Sequence, residues 1–249
     1  IAELIKVLRD EKNIKTIEFS EEIQVLLDCD ESLYNNIDKK REVLKMYCEQ
    51  SKHKISGKTV HISCNLLIKN IEEKAQWIKN HIRNNEWISD NDGNSWFNGY
   101  YDNHGSRVEG EFNNNIRMML TGQVFTIMSN TASNSQVEEI VKSADKYLYD
   151  KTVGGYKLNT DFNELKTDLG RMFGFAYGHK ENGAVFSHMA IMYANALYKR
   201  GFVKEGFKVI DTLYKHCSDF EMSRIYPGIP EYINSKGRGM YHYLTGAAS

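Results

Sequence analysis

Gly178-His179-Lys180-Glu181-Asn182-Gly183-Ala184-Val185-Phe186-Ser187-His188 is the stretch on which the fold turns. Two glycines bracket a polar loop, and small and apolar residues follow that begin a helical pattern. Apolar residues recur at three- and four-residue spacing from about 184 to 200, where Gly201 supplies a stop. Backbone N–H groups at such a helix start lack partners within the helix, and together with the helix dipole they favour an anion. His188 falls about one turn inside the predicted helix and can point to the same place. The pattern also describes an ordinary capped helix start with a satisfied histidine.

The same periodicity extends outward in both directions. It predicts helices over 2–11, 20–29, 38–49 and 65–84, then 117–130, 135–149 and 203–217. Ser20 stands as an N-cap for the second, and Ser135 with Glu138 has capping-box spacing for the sixth. The chain has 2 prolines and 18 glycines in 249 residues, where average usage gives roughly 12 prolines. Proline scarcity permits uninterrupted helices. Gly57 is the one glycine before Gly93, so a glycine-poor helical part precedes a part in which helices alternate with glycine-rich loops. The fold class expected is all-α, about six to eight helices arranged as a toroid; a bundle or a solenoid also fits the pattern.

Between 87 and 113 the pattern changes. Trp96-Phe97-Asn98-Gly99-Tyr100-Tyr101, bounded by Asp-Gly and His-Gly turns, predicts short hairpin strands. Aromatic faces beside carboxylates and amides suit sugar stacking, although Phe97 and at least one tyrosine are expected in the core. A further segment, Arg238-Gly239-Met240-Tyr241-His242-Tyr243-Leu244-Thr245-Gly246-Ala247-Ala248-Ser249, places a hydroxyl next to a glycine, where backbone amides can approach a ligand closely. Helix entry with small-residue packing explains that pattern equally well.

Composition excludes several classes. A net charge of −1 with charges of alternating sign shows no basic field for nucleic acid. No apolar run approaches the roughly 20 residues of a membrane span. Cys29, Cys48, Cys64 and Cys217 are sparse and lack metal-like spacing, which suits free thiols in the cytoplasm. There is no GxSxG, HExxH, P-loop or GxGxxG pattern, so neither a metal nor an organic cofactor is expected. Ile1 lies inside an amphipathic run, and Ser249 directly follows a small-residue segment. Residues 1–249 are therefore expected to be a single, partial domain truncated at both ends.

Three segments in this order carry a resemblance: Asp92-Gly93 through Trp96-Phe97 to Tyr100-Tyr101-Asp102, then Lys180-Glu181-Asn182-Gly183 to Phe186 and His188, and Leu244-Thr245-Gly246 to Ala248, with Gly122-Gln123 opening a helix between the first two. Over about residues 64–249 the chain resembles the catalytic domain of the inverting glycoside phosphorylases of glycoside hydrolase family 94. The resemblance implies a portion of an (α/α)6 barrel, a six-hairpin toroid, with a short β-hairpin insertion. It implies a β-linked gluco-oligosaccharide and inorganic phosphate as substrates, phosphate being the co-substrate and not a cofactor. It assigns phosphate to His188, Thr245 and Gly246, and sugar to Lys180 and Glu181, with Trp96, Tyr101, Gln123 and Arg238 as further sugar-side candidates.

Phosphate is itself a charged nucleophile, so one carboxylic acid suffices where an inverting hydrolase needs an acid and a base. The family's acid is an Asp in an Asp-Trp-Asn-Asp-like segment that this sequence lacks, and residues 1–60 match the family poorly. The acid is therefore expected upstream of Ile1; Asp28 and Asp30 are the alternatives within the chain. Residues 172–177 and 226–232 depart from the pattern of cellobiose phosphorylase, which implies a divergent branch acting on longer β-1,2- or β-1,3-glucans. Two other functions fit: an inverting hydrolase or cyclic-glucan-processing module on the same barrel, and a non-catalytic carbohydrate-binding domain. Neither nucleic acid nor membrane is expected as a partner, and a homodimer is compatible with the sequence.

Overall fold

The structure is a computed structural model and describes residues 1–27, 34–225 and 228–241. It divides into two compact units, Ile1–His81 and Ile82–Ser249.

In the first unit, α1 (Ala2–Glu11) is followed by β1 (Thr16–Ser20), a 3-10 turn (Glu21–Leu26), α2 (Ile37–Ser51), β2 (Thr59–Ser63) and α3 (Cys64–Asn85), whose last turn passes into the second unit. β1 and β2 pair antiparallel, from Thr16 opposite Ser63 to Ser20 opposite Thr59. Ile5, Ile62, Cys64, Leu67 and Ile68 form the core, against which Ile17 and Phe19 pack. Over the described part of the helix expected at 20–29, the end of the strand and the 3-10 turn stand in its place, while residues 28 and 29 lie outside the described residues. Ser20 does not cap; its hydroxyl donates to Glu22 Oε2 at 2.6 Å, and Glu22 Oε1 accepts from Ser56 N–H at 2.6 Å. Pairing with β2, distant in sequence, overrode a local pattern that suited a helix.

The second unit begins with two hairpins, β3 (Trp87–Ser89) with β4 (Ser95–Phe97), and β5 (Gly110–Phe112) with β6 (Asn115–Arg117). Asp90 closes the first turn by accepting from Asp92 N–H and Asn94 N–H. Asn113 and Asn114, at φ 51° and 63°, close the second with the two left-handed residues that match strand twist. Then come α4 (Leu120–Met128), α5 (Asn134–Tyr147), the strand pair β7 (Tyr149–Asp150) and β8 (Gly155–Tyr156), β9 (Val185–Phe186), α6 (Ser187–Lys199), α7 (Val203–Ser218), the single turn α8 (Phe220–Ser223), β10 (Tyr232–Ile233) and β11 (Gly239–Met240).

Trp96, Phe97, Met118, Leu120, Ile127, Ile140, Leu148, Tyr193 and Leu197 belong to its main core. Helix α5 starts two residues before the expected box: Ser133 Oγ accepts from Gln136 N–H at 3.2 Å, and Gln136 Oε1 accepts from Ser133 N–H at 3.0 Å. Gly201, at φ 83°, ends α6 as expected. Gly206 of α7 lets the two helices approach closely, since a Cβ there would meet Ala194 O at 3.1 Å.

Among the described residues the strands form four two-stranded sheets and one of three strands, ordered β11-β10-β9. Helices carry the fold and these sheets are small; the hairpin β3–β4 falls in the segment where one was expected, and the sheets outside residues 87–113 are additional to it. The helix-rich architecture is compatible with a family 94 catalytic domain. None of the described helices is long and apolar enough to cross a membrane.

Candidate functional site

The loop between Gly178 and Gly183 is a turn held from inside. Gly178 N–H donates to Asn182 O at 2.7 Å, and Asn182 N–H donates to His179 O at 3.0 Å. Gly178, Lys180 and Gly183 all have positive φ, and a Cβ on Gly183 would overlap the Tyr177 ring, so a side chain is excluded there. Asn159, fully buried, accepts from Gly183 N–H at 2.7 Å and donates to Asn182 Oδ1 at 3.1 Å. Burial pushes the Tyr177 hydroxyl up to about 12.

The segment 158–160 ties this loop to a second helix start. Leu158 N–H donates to Ala184 O at 2.9 Å, and Leu120 N–H donates to Leu158 O at 2.8 Å. The first turns of α4 and α6 therefore open together onto one cavity of about 430 Å³, lined in part by Tyr100, Met119, Thr121, Arg171, Glu181 and His188. Phe186 and Met119 occupy the two N-cap positions without capping through a side chain; the first N–H of each helix is taken by a backbone carbonyl, that of Leu120 by Leu158 O and that of Ser187 by Glu231 O at 3.0 Å, so a ligand would meet the N–H groups that follow them. His188 is the second residue of α6 and is exposed, nearer the helix start than expected because Val185 and Phe186 are taken by β9. Glu181 Oε1 lies 3.3 Å from Arg171 Nε, while Glu181 Oε2 is buried without a hydrogen-bond partner. Arg171 is largely exposed, so its pairing with Glu181 contributes little stability, under about 1 kcal/mol, and the guanidinium can turn to a ligand at small cost.

Of the candidates among the described residues, the structure brings His188 and Glu181 to one cavity, and Lys180, Trp96, Gln123, Tyr101 and Arg238 do not line it. Lys180 points elsewhere, with Nζ 3.0 Å from Glu231 Oε2 and 4.2 Å from the centre of the Tyr241 ring. Trp96 is 0% exposed and packs edge-on against Tyr147 in the core, so it presents no face for stacking a sugar. Gln123 is also 0% exposed; its amide accepts from Phe97 N–H at 2.9 Å and donates to Phe97 O at 2.8 Å, which joins α4 to β4. Tyr101 is 46% exposed, but its hydroxyl is held by Glu86 at 2.7 Å, and its neighbour Tyr100 lines the cavity. Phe97 is in the core as expected, whereas neither tyrosine is. Arg238 is exposed in the turn between β10 and β11. Thr245, Gly246, Asp28 and Asp30 lie outside the described residues.

Sequence reasoning missed Thr121 and Arg171, and within the aromatic segment it singled out Tyr101 where Tyr100 lines the cavity. Arg171 sits in the 3-10 turn Gly170–Gly174, where no periodicity or spacing announces a ligand-facing side chain. Among the described residues no group of three or more His, Cys, Asp or Glu residues could hold a metal ion.

The catalytic domain of the glycosyl hydrolase 94 superfamily matches residues 58–249, and the chain belongs to that family. Among individual proteins, it is 27% identical over 122 residues to the solabiose phosphorylase of Paenibacillus borealis, a match covering 49% of this chain and 15% of that one. It is 29% identical over 85 residues to the cellobionic acid phosphorylase of Neurospora crassa, covering 34% and 11% respectively. The matched regions thus span a small part of each relative.

Proposed function

We propose that this chain carries the phosphate- and sugar-binding part of a glycoside phosphorylase, built on an (α/α)6 barrel and acting in the cytoplasm. The reaction is the reversible, inverting phosphorolysis of a β-linked gluco-oligosaccharide to α-glucose 1-phosphate and a shortened sugar. One observation carries the proposal: His188, in the first turn of an uncapped helix, opens into the same cavity as Glu181. Both named relatives are phosphorylases, which favours phosphate over water as the nucleophile.

Phosphate takes the position beside His188, held by first-turn N–H groups and the imidazole, with Thr245 and Gly246 as further ligands. Glu181 and Arg171 hydrogen-bond sugar hydroxyls. A phosphate oxygen attacks the anomeric carbon on the face opposite the glycosidic oxygen. The C–O bond breaks, the departing oxygen takes a proton from a carboxylic acid, and the anomeric configuration inverts. The acid is not assigned to any residue of this chain.

Phosphorolysis by the full-length protein, assayed on a panel of β-linked glucobioses and longer β-1,2- and β-1,3-oligomers, tests the proposal. Glucose 1-phosphate is expected from at least one of them, in strict dependence on phosphate. Its release from none, or sugar cleavage unaffected by omitting phosphate, overturns the proposal, and the second outcome favours a hydrolase.

A further inference from the structure

Behind the cavity lies a carboxyl that the proposed chemistry does not use. Glu109 is 2% exposed. Its Oε1 accepts from Gly99 N–H and its Oε2 from Met119 N–H, each at 2.8 Å, and its own N–H donates to Asn98 Oδ1 at 3.2 Å. Tyr100, next to Gly99, lines one wall of the cavity, and Met119 and Thr121 line another. A single side chain thus ties together two walls that are remote in sequence.

The contact has no slack. A Cβ on Gly99 would lie 3.0 Å from Gly122 Cα and 3.3 Å from Glu109 Oε1, and a Cβ on Gly122 would lie 3.1 Å from Gly99 Cα. The walls therefore touch backbone to backbone, and the carboxyl fills what space remains. Of the side chains of this size, glutamate alone keeps an acceptor lone pair on both terminal atoms, ionised or protonated, for two converging N–H donors; glutamine would turn an NH2 group, which cannot accept, towards one of them. Burying an acid with no cation of the described residues acting on it is costly, and burial pushes this one up to about 8. A feature that burdens the fold at the edge of a cavity marks a functional requirement.

We propose that Glu109 is a positioning residue: by bridging Gly99 and Met119 it sets the distance between Tyr100 and the Met119–Thr121 wall, and so the fit of the cavity to a sugar ring. This rests on the sugar-binding part of the function proposed above. The experiment measures binding of cellobiose, of glucose and of inorganic phosphate separately by calorimetry, on the full-length wild type, Glu109→Gln, Tyr100→Ala and the double variant.

Glu109→Gln is expected to weaken sugar binding about tenfold, the scale of one buried donor left unpaired, while phosphate binding changes by less than about twofold. Since Glu109 acts through Tyr100, the losses of sugar affinity should fall short of additive in the double variant, whereas the losses of thermal stability need not. Unchanged sugar affinity in Glu109→Gln, equal losses for sugar and phosphate, or strictly additive sugar losses would each overturn the inference and leave the phosphorylase proposal standing. A wild type that binds neither sugar overturns the inference, and the phosphorylase proposal falls with it only if the oligosaccharide panel yields no glucose 1-phosphate. If Glu109→Gln does not fold, Glu109→Asp, whose shorter side chain cannot span both donors, is judged by the same outcomes.

Discussion

Glu109 makes a residue-scale prediction that requires no substrate. Its carboxyl has an ordinary value of 4.5 and in the fold lies at about 8, raised by burial and pulled back by the Gly99 and Met119 N–H groups. Between those values the folded chain holds a proton that the unfolded chain has released, so this group's contribution to stability falls as pH rises through the window. Urea midpoints measured from pH 5 to pH 8 should decline more steeply in wild type than in Glu109→Gln, and parallel profiles would contradict the assignment. Gly183 supplies a second test. Its φ of 76° and the Tyr177 ring against it make Gly183→Ala destabilising by about 1–3 kcal/mol, a drop of several degrees in a thermal melt. At this scale the sequence was informative about the glycines and silent about Glu109. A turn needs its glycine wherever it folds, whereas a carboxyl becomes a bridge only once two distant N–H groups converge on it.

At the scale of elements, helix ends decide most of what matters. Ser133→Ala removes one half of the capping box of α5 and should cost about 1 kcal/mol, measured by denaturant titration; Ser135→Ala, at the position the sequence pattern favoured, should cost less than half as much. The start of α6 is left uncapped by any side chain, and its loss should be read in function. His188→Ala is expected to lower kcat/KM for phosphate about 10- to 100-fold, the scale of one charge-assisted hydrogen bond, with thermal stability nearly unchanged because the side chain is exposed. The long amphipathic helices were legible because each carries its own periodicity. Helix 20–29 was not: its residues from Glu21 to Leu26 form a 3-10 turn behind β1, and the strand owes its existence to β2 across the chain.

At the scale of the whole molecule, each unit has its own core, one around Ile5, Ile62 and Leu67 and the other around Trp96, Met118 and Leu197. Leu197→Ala in the larger core should cost about 2–5 kcal/mol, enough to abolish ligand binding by unfolding, and a melt on the isolated variant separates that loss from a defect in the site. The polypeptide alone determined that this is a helix-rich protein with glycine-bracketed loops, and its motifs placed it with the family 94 catalytic domains, because periodicity, turn chemistry and short motifs act over a few residues. Which candidate side chains face a ligand was decided by tertiary packing. Trp96 and Gln123 went to the core, Lys180 to Glu231, and Arg171 and Tyr100 to the cavity. Side-chain chemistry is local, but burial and convergence depend on what the rest of the chain brings alongside.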